Sequence, residues 1–185
     1  MVNIFCVNTQ TSRTFPEGTT LMDMLPAFAP EFNTPYPIIA AKVNNVCQGL
    51  KYRAFNSRQV EFLDYTSYTG RSVCCSSLCF LLSKAVKDVF EDCRLILRRP
   101  VSKGYYCQLI KKDGSEVSQA DVDTIVARMK ELVAADLPFR RHEVRTGEAI
   151  ELFQSLGYAD KVSLLETAGD VYVNYYTLDG TPDYY

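Results

Sequence analysis

Residues 74–90, CCSSLCFLLSKAVKDVF, decide how the second half of the chain folds. The spacing i, i+3, i+4, i+7 of the apolar residues predicts an amphipathic helix of roughly three to four turns. These residues are Leu78, Leu81, Leu82, Ala85, Val86, Val89 and Phe90. The segment also contains Cys74, Cys75 and Cys79, and side chains four residues apart share one face of a helix. The sequence leaves three roles open for this face: a metal site, a redox site or a packing surface.

The composition is that of an ordinary globular protein. Its 185 residues are 47% hydrophobic and 23% charged, and the net charge is −2. Strong non-specific binding to nucleic acid is not expected, because such proteins carry an excess of Lys and Arg. The longest apolar runs are far shorter than the roughly 20 residues that cross a bilayer. The N-terminus also lacks the pattern of a signal peptide. We therefore expect a cytoplasmic protein with no membrane partner.

The cysteines fit a reducing compartment. Seven of them are scattered along the chain with no C-x-x-C motif, at positions 6, 47, 74, 75, 79, 93 and 107. We expect most of them to be free thiols that are buried as small apolar residues.

The first 66 residues predict a small unit of strands around one helix. Its strands fall at residues 3–7, 13–15, 35–43, 46–50 and 59–64. Thr19 or Thr20 caps a short helix. The turn at 43–45 carries two asparagines, which tolerate positive φ. This arrangement predicts a β-grasp shape.

Residues 67–185 predict a second domain with helices packed on an antiparallel sheet. Strands are expected at residues 94–100, 104–110, 138–144 and 171–178. Ser118 and Asp121 predict a capping box at the start of one helix. Thr146 is expected to cap the next helix, which Gly157 ends. The turn formers at 65–72 predict the domain boundary, and the overall fold class is α+β.

Two groups of residues resemble known domains. Residues 18–20, 41–44, Leu50 and 60–64 resemble the TGS domain, a β-grasp module of threonyl-tRNA synthetases and some GTPases. Residues 70–176, with LLSKAVKDVF and RRPVSKGYYCQL, resemble the second N-terminal domain of threonyl-tRNA synthetase, which hydrolyses mischarged tRNA. The resemblance implies a TGS-like domain at 1–66 and an editing-like domain at 67–185 that continues beyond the C-terminus given.

The same pair of domains precedes a P-loop kinase domain in bacterial uridine or nucleoside kinases, and several details resemble that family more closely. This resemblance implies a transferase as the parent protein, with ATP and Mg²⁺ bound only in a downstream kinase domain. That domain would be the partner of the present residues. The 185 residues contain neither GxxxxGK[ST] nor GxGxxG, so no cofactor is expected within them.

The resemblance also locates a degenerate site. The editing family carries H-x-x-x-H on the helix that corresponds to residues 76–90, and these two positions are Ser76 and Phe80 here. Serine is a poor zinc ligand and phenylalanine has no lone pair. The family's later C-x-x-x-H is absent from residues 171–185. We therefore assign no catalytic residue and no metal ligand.

Other chemistry at the cysteines is not excluded. Cys75 and Cys79 are shifted by one residue from the family positions, about 100° around the helix. Cys93 and Cys107 would have to complete a zinc site. Packing is the preferred role, with a metal site and a redox role as the alternatives. His142 is the only histidine, and a hydrogen-bonded surface position is preferred to general-base duty.

Arginines and tyrosines near the middle of the second domain predict contact with RNA or a nucleotide, because such side chains stack on bases and pair with phosphates. The candidates are Arg98, Arg99, Lys103, Tyr105, Tyr106, Arg140 and Arg141. The alternative is a solvated, charge-balanced face, since Glu116, Asp121 and Glu143 are interspersed.

Three functions follow, in order of preference. The first is a non-catalytic region of a uridine or nucleoside kinase that senses RNA or a ligand, or regulates the kinase. The second is the aminoacyl-tRNA editing region of a threonyl-tRNA synthetase-like protein. The third is an interaction module for the ribosome or a protein. Fold alone does not choose among them.

Overall fold

The computed structural model describes residues 1–90, 93–101 and 104–184, except for the side chains of residues 99 and 100. These residues form two compact units, the N-terminal unit (Met1–Ser77) and the C-terminal unit (Leu78–Tyr185). Both units combine helices with sheets, in agreement with the predicted α+β class. No helix in the described ranges is both long and apolar enough to cross a membrane.

A five-stranded mixed sheet forms the frame of the N-terminal unit. Its strands are β1 (Val2–Cys6), β2 (Thr11–Phe15), β4 (Ala40–Val43), β5 (Val46–Gln48) and β7 (Arg58–Leu63), and a separate pair is formed by β3 (Thr19–Thr20) and β6 (Arg53–Ala54). The sheet order is β2-β1-β7-β4-β5. Strand β1 runs parallel to β7, and the other neighbours are antiparallel. Alternate residues of β1 are buried, as expected for a sheet with one face on the core.

Helix α1 (Leu21–Phe28) packs its apolar face into the same core as the sheet. Thr20 is the N-cap, and its hydroxyl accepts a hydrogen bond from the backbone N–H of Asp23 at 3.1 Å. This bond satisfies one of the donors that the first turn of a helix leaves unpaired. Leu21, Met24 and Phe28 are fully buried.

The predicted strand at 35–43 is too long. Only Ala40–Val43 pairs in the sheet, and the segment before it contains Pro35 and Pro37, which have no backbone N–H to donate to a ladder. The turn after this strand is as predicted. Asn44 and Asn45 join β4 to β5 with φ of 48° and 67°.

Helix α2 (Tyr68–Val89) begins earlier than the apolar pattern predicts, and the division between the two units falls inside it. Residues 68–72, part of the turn-forming stretch that predicts the domain boundary, are helical instead. The reason is local capping. The Ser67 hydroxyl accepts a hydrogen bond from the Gly70 N–H at 3.0 Å and donates one to the Asp64 carbonyl oxygen at 3.1 Å.

The carboxylate of Asp64 fixes the chain just before α2. It accepts hydrogen bonds from the Thr34 hydroxyl and from the backbone N–H of Thr66, the latter at 2.8 Å. These hydroxyl and amide donors hold the pKa of Asp64 below its ordinary value, with Thr34 as the largest cause.

The C-terminal unit contains the rest of α2, two small sheets and three further helices. Its elements are β8 (Arg94–Val101), β9 (Gly104–Ile110), α3 (Gln119–Ala134), β10 (Arg140–Arg145), α4 (Thr146–Ser155), α5 (Ala159–Ala168), β11 (Tyr172–Leu178) and β12 (Thr181–Asp183). Strands β8 and β9 form an antiparallel pair, and β10-β11-β12 form an antiparallel sheet. One core contains the inner faces of α2 and α3. A second lies among α4, α5 and β11.

The capping residues observed at the helix ends agree with one prediction and differ from another. The capping box at α3 is confirmed, because Ser118 and Asp121 bond each other's backbone N–H groups at 3.2 and 2.8 Å. The prediction that Thr146 caps α4 is wrong. Arg145 is the N-cap residue there without a side-chain bond, and the Thr146 hydroxyl donates to the Asp170 carbonyl instead. Gly157 follows the end of α4 with φ of 74°, as predicted.

We predict that Gly70→Ala destabilises the protein. A β-carbon at this position would lie 1.9 Å from the Asp64 carbonyl oxygen and 2.8 Å from the Ser67 hydroxyl, so the start of α2 must shift. Forced overpacking of this kind costs about 1–3 kcal/mol. Urea denaturation followed by circular dichroism measures the loss. The matched control is Gly49→Ala, where nothing lies within 4 Å of the added carbon. Equal stability of the two variants would contradict the packing at Gly70.

Candidate functional site

Phe80, which the sequence resemblance aligns with the second histidine of the editing family, is part of the core. Phe80 is 1% exposed, and its ring centroid lies 5.5 Å from that of Phe139. It belongs to the cluster that also contains Leu81, Ala85 and Val86. Ser76, at the other position, is half-buried on the same helix. The ring of Phe80 therefore fills apolar space and offers no group to a substrate or an ion.

The cysteines of α2 are the residues for which the sequence leaves a metal, redox or packing role open. Cys74, Cys75 and Cys79 are all half-buried. Burial raises the pKa of the Cys74 thiol, and the neighbouring Cys75 raises it further, so thiolate formation is disfavoured. Across the described ranges, no group of three or more His, Cys, Asp or Glu side chains is arranged to hold a metal ion.

The expected burial of the cysteines is wrong for most of them. Only Cys6 is fully buried; Cys47 is exposed, and the other five are half-buried. Three of the half-buried thiols lie on α2, Cys93 lies just before β8, and Cys107 lies on β9. No disulfide joins the seven, all of which lie in described parts of the chain.

We predict that Phe80→Ala lowers the free energy of unfolding by about 3–5 kcal/mol, because the lost ring leaves a cavity in the core. The control is Leu78→Ala on the same helix, which removes a side chain of a residue that is 51% exposed. It should cost under about 1 kcal/mol. Chemical denaturation of both variants measures the difference. A small effect at Phe80 would show that the position is free to face a ligand.

A polar cluster that the sequence does not signal lies in the C-terminal unit, with three half-buried members and one buried member. It consists of Lys87 on α2, Tyr158 and Lys161 around the start of α5, and Asp183 on β12. The Lys87 amine donates a hydrogen bond to the Tyr158 hydroxyl and lies 3.9 Å from the centre of that ring. Lys161 forms an ion pair with Asp183 at 2.8 Å and donates to the Tyr184 carbonyl at 2.5 Å. Asp183 is only 7% exposed.

The environment of this cluster perturbs two of its members. Burial lowers the pKa of Lys87, and the opposing charge of Asp183 only partly offsets this effect. Burial raises the pKa of the Tyr158 phenol, and Asp183 adds to the increase. Tyr158 also lines a cavity of about 320 Å³ with Val162, Ser163 and Glu166. Ionisable groups perturbed by burial beside a cavity are candidates for a functional site.

The cluster can bind and orient polar groups. Two ammonium groups and a phenol suit an anion or a carbonyl oxygen, and the lowered pKa of Lys87 means that it releases its proton more readily than an exposed lysine. Lys87 and Tyr158 are 71 residues apart in the sequence. No spacing rule joins residues this far apart, so the sequence gives no signal for this pair.

We predict that Lys161→Met lowers the free energy of unfolding by about 3 kcal/mol, because it leaves the buried Asp183 carboxylate without its ion pair. Lys161→Arg retains the charge and should recover most of the loss. The control is Glu143→Gln, which breaks a pair with Arg141 at 3.8 Å between exposed side chains. It should change stability by less than about 0.5 kcal/mol. Thermal and urea unfolding measure all three, and equal effects at Lys161 and Glu143 would contradict the burial of the cluster.

The predicted RNA-contact residues lie on two different sheets. Tyr105 and Tyr106 are 48% and 57% exposed on β9, and Arg98 on β8 is exposed and donates to the Gln108 side chain at 3.2 Å. Arg140 and Arg141 are exposed on β10, where Arg141 donates to the Asn174 side chain at 2.8 Å. Lys103 and the side chain of Arg99 lie outside the described residues.

His142 contacts two side chains of the neighbouring strand β11. Its ring stacks on Tyr175 with centroids 4.8 Å apart, and its Nε2 lies 2.9 Å from the Thr177 hydroxyl. It is half-buried on the sheet, not fully at the surface. The sequence predicts a hydrogen-bonded surface histidine; the hydrogen-bonding contact is present, and the surface position is wrong because the ring is half-buried against Tyr175.

Comparison with known proteins finds distant relatives. No family model matches the chain. It is 25% identical over 171 residues to a threonine–tRNA ligase of Francisella tularensis subsp. novicida, covering 92% of this chain and 26% of that protein. A threonine–tRNA ligase of Desulforamulus reducens is 26% identical over 153 residues, covering 83% of this chain and 24% of that protein. The chain thus spans about a quarter of the length of these relatives. These matches favour the synthetase-like interpretation over a kinase parent.

Proposed function

We propose that the chain is the editing-type region of a threonyl-tRNA synthetase-like protein that binds the acceptor end of tRNA without hydrolysing the aminoacyl ester. In this proposal residues 1–66 correspond to the TGS domain and residues 67–185 to the editing domain. The distant similarity to threonine–tRNA ligases over 92% of the chain supports the assignment. The kinase parent, with its ATP and Mg²⁺, stays a prediction.

The burial of Phe80 is the observation that carries the proposal. A histidine on this helix serves the editing family because its imidazole faces the substrate, whereas the phenylalanine ring is 1% exposed and packs on Phe139. Imidazole is also the side chain best suited to acid–base chemistry near neutral pH. A helix face that is used for the core cannot also form the wall of a hydrolytic pocket.

The polar cluster supports recognition. Lys87, Tyr158 and Lys161 offer donors that suit the carbonyl or phosphate oxygens of an aminoacylated RNA end. Asp183 pairs with Lys161 at 2.8 Å and so fixes one of these amines in place. This arrangement can hold a polar group. Activation of a water molecule would need a free base, and in the cluster Asp183 is in an ion pair with Lys161 and Lys87 is hydrogen-bonded to Tyr158.

The exposed aromatic and basic side chains of β8 and β9 supply the remaining contacts in this proposal. Tyr105 and Tyr106 present ring faces on which unpaired bases stack, and Arg98 adds a cation for a phosphate. The small net charge of −2 fits a local contact surface better than a general affinity for nucleic acid.

The test uses the full chain with serine-charged and threonine-charged threonine-specific tRNA, with and without added Zn²⁺. We expect binding of charged tRNA, and loss of the ester no faster than in buffer. Tyr106→Ala should weaken binding about tenfold. Arg98→Ala should reduce by about one the slope of the logarithm of the binding constant against the logarithm of salt concentration. Tyr172→Ala, which removes another exposed ring of the C-terminal unit, is the control.

Two outcomes would overturn the proposal. Absence of any tRNA binding would contradict the proposal that the chain recognises the acceptor end of tRNA. Deacylation that disappears in Lys87→Met but persists in Tyr172→Ala would establish a hydrolase that uses the polar cluster.

A further inference from the structure

The N-terminal unit carries exposed aromatic rings next to an arginine, at a place unrelated to its core. Tyr36, Tyr65 and Tyr68 are 49%, 45% and 87% exposed. The ring centroids of Tyr36 and Tyr65 are 6.4 Å apart, and the Arg71 guanidinium lies 5.9 Å from the centre of the Tyr65 ring. Tyr68 and Arg71 are three residues apart on α2 and so share a face of the helix. We call these four residues the tyrosine platform.

The backbone under the tyrosine platform is held in place by hydrogen bonds. The Asp64 carboxylate accepts from the Thr34 hydroxyl and from Thr66, which ties the loop containing Tyr36 to the segment containing Tyr65. The Tyr36 N–H donates to Thr34 at 3.2 Å. A surface organised before binding loses little conformational entropy when a ligand arrives.

The chemistry of the tyrosine platform selects its ligand. Exposed tyrosine faces bind flat, apolar groups, and an arginine that stacks on such a ring also pairs with phosphate. The positive charge of Arg71 disfavours basic peptides and quaternary ammonium groups. The Asp64 carboxylate beneath the tyrosine platform is buried and already accepts hydrogen bonds. A proline-rich segment would use the rings but offers no phosphate for the arginine.

We propose that the tyrosine platform binds two or three unpaired nucleotides of single-stranded nucleic acid. Bases stack on the tyrosines, and Arg71 contacts the adjacent phosphate. Bases in a duplex already stack on each other, so only unpaired ones offer free faces. Stacking on aromatic residues tolerates any base, which predicts weak sequence preference. The inference does not rest on the proposed function, because the contact residues named there all belong to the C-terminal unit.

The experiment measures fluorescence anisotropy of labelled hexamers, U₆ RNA and dT₆ DNA, with the full chain. All variants are made in a Tyr105→Ala, Tyr106→Ala background. This background removes the β9 tyrosines of the proposed function, so any remaining hexamer binding is measured separately from binding to those residues. We expect both hexamers to bind in this background, and an RNA duplex to bind at least about tenfold more weakly. Tyr65→Ala and Tyr68→Ala should each weaken binding about tenfold.

Conservative and control variants separate stacking from other effects. Tyr68→Phe should retain binding, because it keeps the ring and loses only the hydroxyl. Arg71→Lys should retain part of it, and Arg71→Glu should abolish it. Phe55→Ala removes a ring that is 63% exposed elsewhere in the same unit and should have no effect. Hexamer binding unchanged in Tyr65→Ala and Tyr68→Ala, equal affinity for the duplex, or preference for a labelled proline-rich decapeptide would each overturn the proposal.

Discussion

The burial of Phe80 is the constraint on which the function of this molecule depends. Helix α2 packs one face into the core, and this face contains Phe80, Leu81 and Val86. Burying a phenylalanine side chain is worth roughly 1.5–3 kcal/mol, so Phe80 contributes to the stability of the C-terminal unit and offers no reactive group at this position. Chemistry in this unit must therefore come from other side chains.

The polar cluster is the place where such side chains meet. Lys161 and Asp183 satisfy each other as a buried ion pair, and Lys87 is placed against the Tyr158 hydroxyl. Buried charges are tolerated only when they are paired and hydrogen-bonded. The arrangement is consequently rigid, which suits a group that recognises a ligand.

Sequence signals predict the structure correctly where a feature involves only residues that are close together in the chain. Ser118 with Asp121, and the pair Asn44 and Asn45, act within a few residues of themselves, and the structure has both features as predicted. The structure differs from the predictions at residues 35–39, at residues 68–72 and at Thr146. At residues 68–72 a local hydrogen bond outweighs composition, at residues 35–39 proline lacks the N–H that a strand ladder needs, and the Thr146 hydroxyl bonds the distant Asp170 carbonyl instead. Helix α5 has only a weak apolar pattern, and the sequence reasoning did not identify it.

From residue types and short spacings, the sequence predicts two mixed units, aligns Ser76 and Phe80 with the two histidines of the resembled family, and shows no phosphate-binding loop motif. These are properties of residue type and short spacing, which are visible without coordinates. Tertiary structure alone decided that Phe80 is packed in a core, that Lys87 meets Tyr158 across 71 residues, and that Arg71 lies over the Tyr65 ring. Contacts between distant segments depend on how elements pack, and no periodicity in the chain encodes that packing.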